Sequence, residues 1–354
     1  MPQRLLAALK TLTWICSASL AAVMASERLY WYWSGIDAES LSILAGFYAV
    51  AIAVAFWALS RAPRHGAQSA VLGGAMFALI VEGIITPVMY EDGPLPVLFI
   101  MFLGWHGLLA FVGFIYSIRR WALLGRARTM ATAAVSTGIY WGVWALSSAV
   151  TDQETAESAA LDGGSADVLT PGDFAIYASW VGLALIASHI VMDRVWPAAG
   201  WHLSRLGAAA TMIATGVLAL LLVMPAVPWA PLKLGAIGWL ILRQLRRPGT
   251  PTGHPTVIDE LSGRIRGRSL LPILLLPISA SLVYAALWPA RGHSSLEIVF
   301  WTLIGVQVAA GIAGLVWSVQ RTRGADRDLA PKPAVSASPQ FTQAGSGSCT
   351  CRGR

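Results

Sequence analysis

From residue 9 to residue 318 the chain alternates long apolar runs with short polar breaks. The runs are about 18–23 residues long, and a helix of that length crosses the ~30 Å hydrocarbon layer of a bilayer. Inside hydrocarbon every backbone N–H and C=O must be bonded within the protein, and a helix does so within one segment. The pattern therefore predicts an all-α polytopic membrane bundle. Ten spans are expected, near residues 9–26, 41–60, 70–90, 95–118, 129–150, 173–193, 206–224, 229–245, 270–289 and 297–318. The span at 229–245 is the least apolar, its core LGAIGWLIL lying between Lys233 and Arg243, whose heads can snorkel to opposite interfaces.

Composition agrees: 12% of residues are charged, against about 25% in soluble chains. The net charge of +7 is not a nucleic-acid footprint, because the charges are sorted by side. With the N-terminus inside, only Arg28, Lys233 and Arg291 among the basic residues fall on outer segments. The positive-inside rule then places both termini in the cytoplasm of a multi-pass cell-membrane protein. Arg4 and Lys10 before an apolar core, with Val23-Met24-Ala25 after it, also fit a signal peptide; the span is read as retained. Residues 1–323 are taken as the bundle, and 324–354, rich in Ala, Pro, Ser and Gly, as a disordered cytoplasmic tail. Cys16, Cys349 and Cys351 make no disulfide framework. No cofactor and no metal is expected, and the partners expected are the bilayer and an unidentified small-molecule or lipid substrate.

The stretch from Val71 to Ile118 carries the candidate site. Two apolar runs flank the turn EDGPLP, with Glu82 inside the first and His106 inside the second. At 1.5 Å per residue both lie roughly 12–18 Å below the outer surface, on adjacent antiparallel helices. An ionisable side chain at that depth costs roughly 2.5–3.5 kcal/mol on insertion scales, which makes it a site candidate. Gly74, Ala78, Glu82, Thr86 and Tyr90 recur every four residues, a small and polar stripe suited to helix packing. His106 shares its face with Ala110, Gly113 and Ser117. Pro87 removes an N–H and frees the Gly83 carbonyl, and such an interruption points to a binding site. Glu82, His106, Thr86 and Tyr90 are thus the expected substrate or proton site.

A second, inner-face cluster is His189 and Asp193, four apart on one helix, with His202 nearby. It has the residue types for a proton relay or metal contact. Glu27 and Arg28 end the first span and read as a solvated ion pair at the outer rim. Gln307 reads as an interhelical hydrogen-bond donor.

The segment Phe102-Leu103-Gly104-Trp105-His106 resembles the FxxxH pattern of CAAX-protease-like intramembrane enzymes. Their acidic EExxxR motif precedes FxxxH inside a span, whereas here the similar Asp259-Glu260-Leu261-Ser262-Gly263-Arg264 follows it in a charged loop, so the resemblance is set aside. The span count resembles that of drug/metabolite exporters without their motifs. The function expected is a transporter or proton-linked permease built on Glu82 and His106. An intramembrane enzyme acting on a lipid or isoprenoid and a non-catalytic scaffold or partner subunit are the alternatives.

Overall fold

The computed structural model describes residues 3–30, 38–62, 66–90, 101–151, 169–196, 203–247, 256–291 and 293–328. The EDGPLP turn with Glu91 and Asp92, the acidic loop, His202 and the tail beyond Asp328 lie outside them. The regular structure among the described residues is entirely helical. In order it comprises α1 (Gln3–Ala25), α2 (Glu27–Tyr30), α3 (Ala38–Leu59), α4 (Ala67–Ile80), α5 (Leu103–Ser117), α6 (Ile118–Leu123) and α7 (Ala127–Thr151). There follow α8 (Pro171–Val195), α9 (Arg205–Leu218), α10 (Ala230–Leu245), the single turn α11 (Val257–Glu260), α12 (Leu275–Leu287) and α13 (Ser295–Asp328). Helix α13 thus carries the chain four residues past the expected start of the tail at 324.

Seven of the described helical segments are long and apolar enough to cross a membrane: Leu5–Tyr30, Ala38–Leu59, Ala67–Ile85, Pro171–Val195, Arg205–Val223, Gly267–Ala290 and Ser295–Thr322. Three of the ten expected spans are not among the seven. The one leading into α5 begins in undescribed residues. Helix α7 dilutes its apolar residues with Thr, Ser, Gly, Tyr and Trp. Helix α10 has only 16 residues, about 24 Å of helix against a ~30 Å layer. The outward-facing residues are apolar, with Leu206, Leu232 and Ile298 all largely exposed, as a surface solvated by lipid requires.

Several helix starts follow from local chemistry. Thr170 accepts the Asp173 N–H, with Pro171 in the first turn of α8. Ser204 accepts the Gly207 N–H at the start of α9. Thr256 and Asp259 form a reciprocal capping box at α11. Each satisfies N–H groups that the first helical turn leaves free.

Helix α4 is the hub. Of an 18-residue apolar stretch within Ala67–Ile85 89% is buried, against 6% for the like stretch of Arg205–Val223, and α3, α5, α10 and α13 all pack on it. Its approach to α5 depends on two glycines: a side chain at Gly74 would run into the Gly107 carbonyl oxygen. Helices α7 and α12 also cross closely, because Gly138 and Gly142 bring the Leu276 and Ala280 carbonyls against the α7 backbone. Gly138-Ile-Tyr-Trp-Gly142 is a small-xxx-small spacing of the kind that lets helix backbones touch.

Three described segments, Val81–Ile85, α5 and Ala219–Val223, wind more widely than an α-helix. Past Ile80 the Thr86 N–H bonds the Val81 carbonyl, five residues back, at 2.8 Å. Helix α5 winds this way along its whole length and ends with the Ile118 N–H on the Gly113 carbonyl. Such wide turns take up an extra residue and redirect the side chains beyond them.

One end of the bundle is closed by a clasp. Arg119, 1% exposed, donates from Nε to the Leu261 carbonyl at 2.7 Å and from an Nη to the Gly263 carbonyl at 3.0 Å. Its guanidinium also stacks on Trp196 and lies 3.6 Å from Asp193. Gly263 has φ +124°, a conformation that glycine adopts without strain. Arg120 pairs with Glu260, and both meet the Tyr116 hydroxyl. The Asp259–Arg264 segment, expected in a charged loop, is docked against α5, α6 and α8.

Candidate functional site

At the opposite end of α4 the wide turn Val81–Ile85 carries Glu82 into the interior, where it is fully buried. His106 of α5 is 2% exposed beside it. His106 Nδ1 lies 2.6 Å from Glu82 Oε1, off the axis of a well-aligned hydrogen bond. The other ring nitrogen, Nε2, faces Glu27 Oε1 at 3.2 Å and the Tyr48 hydroxyl at 3.0 Å. The Tyr48 hydroxyl donates to Glu27 Oε1, and Ser26, which donates to the Ala22 carbonyl, lies 3.3 Å from the same hydroxyl. One imidazole is thus held between two carboxylates, with a phenol bridging one side. The groups come from α2, α3, the wide turn after α4, and α5.

The surroundings are aromatic. Phe77, Phe102 and Trp105 pack around the His106 ring, and Tyr30 stacks on Trp105 at 3.6 Å. Rings of this kind exclude water and leave the charges to one another. Glu82 Oε2 has no hydrogen-bond partner among the described residues. The Glu27 side chain is 20% exposed against 1% for Glu82, so among the described residues Glu27 is the most exposed member of the cluster. Both imidazole nitrogens face carboxylate oxygens, an arrangement that suits a doubly protonated ring or a neutral ring sharing a proton with Glu82.

Glu27 was expected as a solvated rim residue paired with Arg28. Instead α2 turns it inward onto His106, and Arg28 is 4% exposed with its carbonyl accepting from Tyr177 at 2.6 Å. Tyr48 was not singled out at all; a lone Tyr in an apolar span reads as packing, and only its position opposite His106 marks it.

Thr86 and Tyr90 are not part of the cluster. The four-residue stripe holds from Gly74 to Glu82, but the wide turn that follows redirects the chain, and Thr86 leaves helical geometry at φ −122° and ψ 85° and is exposed. Tyr90 reaches back to donate to the Gly83 carbonyl at 3.0 Å, the acceptor that Pro87 leaves without a helical partner. Its ring packs edge-on against Trp229 near the Lys233 ammonium.

The His189 and Asp193 pair does not assemble either. His189 Nε2 donates to the Phe114 carbonyl at 2.9 Å, a fully buried contact to the widely wound α5. Asp193 accepts from the Ile265 N–H at 2.9 Å and belongs to the Arg119 clasp. No hydrogen bond or ion pair joins the two among the described residues. Neighbours from other elements claimed each polar group, and the i, i+4 spacing could not show them. No group of three His, Cys, Asp or Glu among the described residues is arranged to hold a metal ion.

Compared with known protein families, with curated proteins and with solved structures, the chain matches none.

Proposed function

We propose that this chain is a proton-linked permease of the cell membrane, in which Glu27, His106 and Glu82 form its protonatable site. One observation carries the reading: an imidazole gripped by two carboxylates inside an apolar bundle. Buried ionisable groups are expensive and often less stable than apolar replacements, so a cluster of four functional side chains fits a working site better than packing. Glu27, the most exposed member of the cluster among the described residues, would give the site its approach from one side, in keeping with alternating access. In purified protein the site should take up a proton between alkaline and acid pH, and Glu82→Gln should remove that uptake. Titration with a pH indicator checks this, together with the infrared carboxylic-acid band. Equal proton uptake by wild type and Glu82→Gln would sink the proposal.

The same reading takes ten spans, with both termini in the cytoplasm. Support comes from which helix ends meet. Tyr177 bonds the Arg28 carbonyl, Tyr284 the Leu169 carbonyl and Lys233 the Met89 carbonyl. These are six positions expected on the outer side. Arg119 with Asp193, Gln244 with Thr322 and Ser318 with the Gln68 carbonyl join positions expected on the inner side. In intact cells Cys349 and Cys351 should resist a membrane-impermeant maleimide and react after permeabilisation. Labelling of intact cells would reverse the orientation.

A partner-subunit or scaffold role is the second reading, and the near-total burial of Glu82 and His106 favours it. It expects Glu82→Gln to change stability alone.

A further inference from the structure

The end of the bundle held by Arg119 and Asp193 is closed by a short strap rather than by another spanning helix. The strap, residues 257–265, begins with the single turn α11 and turns three apolar side chains inward: Val257, Ile258 and Leu261 are at most 5% exposed. Helix α11 packs on α4, the hub that leads to Glu82. The fastenings around this plug are polar. Asp193 accepts the Ile265 N–H, and its carbonyl accepts from Arg264 at 2.9 Å. Arg119 holds the Leu261 and Gly263 carbonyls, and Glu260 pairs with Arg120 and accepts from the Tyr116 hydroxyl.

Such a closure costs little to undo. Charges that leave a protein interior regain water, and the desolvation relieved offsets most of the attraction given up. Three polar atoms near the strap gain from the same exchange. Arg119 Nη1, His189 Nδ1 and Ser188 Oγ are buried without a hydrogen-bond partner among the described residues, and water entering there would supply one to each. Ser188 and His189 lie within about 8 Å of Asp193 along α8, on the side away from the end of the helix. Residues 262–266, between α11 and the turns that begin at Gly267, are not helical. Gly263 sits at φ +124°, and nothing lies within 4 Å of a Cβ added at Gly267. Both positions can absorb backbone rotation as a hinge does. Helix α5 runs on directly into α6, so His106 and the Arg119 and Arg120 fastenings ride on one rod.

We propose that the strap at residues 257–265 is the cytoplasmic gate of the permease: it undocks from Arg119 and Asp193, swings on Gly263 and Gly267, and admits water to the inner flank of α5 and α8. The assignment rests on the permease reading and its orientation, in which Glu27 serves the outer approach and the strap blocks the inner one.

The experiment uses the full chain in membrane vesicles of either orientation, with Cys16, Cys349 and Cys351 replaced by serine. A single cysteine is placed at Ser188, which is 3% exposed, and its reaction with a membrane-impermeant maleimide is timed. Ser188→Cys should label from the cytoplasmic face and not from the outer face. Adding Asp193→Asn should speed that labelling about tenfold, the factor that one charge-assisted hydrogen bond supplies. A cysteine at Ser147 instead, fully buried in the half of α7 away from the strap, should stay unlabelled and so show an intact bundle. Arg264→Gln removes only a largely exposed partner and should act in the same direction by about threefold. It keeps the test decisive if Asp193→Asn fails to fold. Unchanged Ser188→Cys labelling in Arg264→Gln, labelling from the outer face, or equal labelling of Ser147→Cys in Arg264→Gln would each overturn the gate. The labelling reads the strap whether or not Glu82 takes up a proton. Absent proton uptake therefore sinks the permease reading alone, and unchanged labelling sinks the gate alone.

Discussion

Replacing Gly74 with leucine is expected to prevent the bundle from assembling around Glu82 and His106. A Cβ at this position would already overlap the Gly107 carbonyl oxygen. That oxygen belongs to the backbone of α5, so no rotamer change can relieve the clash, and α4 and α5 would have to separate. Their separation pulls apart the Glu82–His106 contact and opens the most buried of the seven described membrane-length segments. The loss should exceed about 4 kcal/mol, the range reserved for core disruption. Gly74→Ala should show the same direction in milder form, since it adds only the clashing carbon. Gly46 of α3 provides the control, because nothing lies within 4 Å of its added Cβ. Gly46→Ala should be neutral or stabilising by up to about 1 kcal/mol, the helix-propensity difference. Thermal unfolding in detergent checks the series. Identical melting of Gly74→Ala, Gly46→Ala and wild type would mean that α4 and α5 do not cross this closely.

His106→Leu should be nearly as damaging, for an electrostatic reason. The leucine leaves the Glu82 and Glu27 carboxylates facing a dry space with no imidazole between them. Removing one partner of a buried ion pair costs about 3–5 kcal/mol, mostly through the charge left behind. The double variant Glu82→Gln/His106→Leu removes that stranded charge. It should therefore unfold at a higher temperature than His106→Leu alone, a non-additivity that contacting residues show. A simple packing role for His106 predicts the opposite order, with the second substitution adding further loss. The comparison therefore measures whether the cluster works as one electrostatic unit.

How far the site was legible depends on sequence separation. Glu82 and His106 stand out because each is an ionisable residue in an apolar run and a short turn makes their helices neighbours. Glu27 lies 79 residues from His106 and Tyr48 lies 58 away. Their positions look like an interfacial charge and a packing ring until the packing of α2, α3 and α5 is known. Thr86 and Tyr90 were misplaced because a four-residue stripe assumes α-helical winding throughout. The wide turn after Ile80 is a choice of hydrogen-bond partner that residue types alone do not reveal. The Gly138–Gly142 spacing is of the small-xxx-small kind, yet it was not singled out, and only the close approach of the Leu276 and Ala280 carbonyls marks it.

By itself the sequence determined the class of structure: all-helical, with segments long and apolar enough to cross a membrane. That follows because backbone hydrogen bonding in an apolar run is satisfied within the run, whatever its neighbours are. Tertiary structure alone decided which polar groups meet: Glu27 turned inward to His106, His189 drawn to the Phe114 carbonyl, and Asp193 captured by the Arg119 clasp. Partnership in a low-dielectric interior depends on a few ångströms of distance across helices, and those distances are set by how backbones approach at residues such as Gly74 and Gly107.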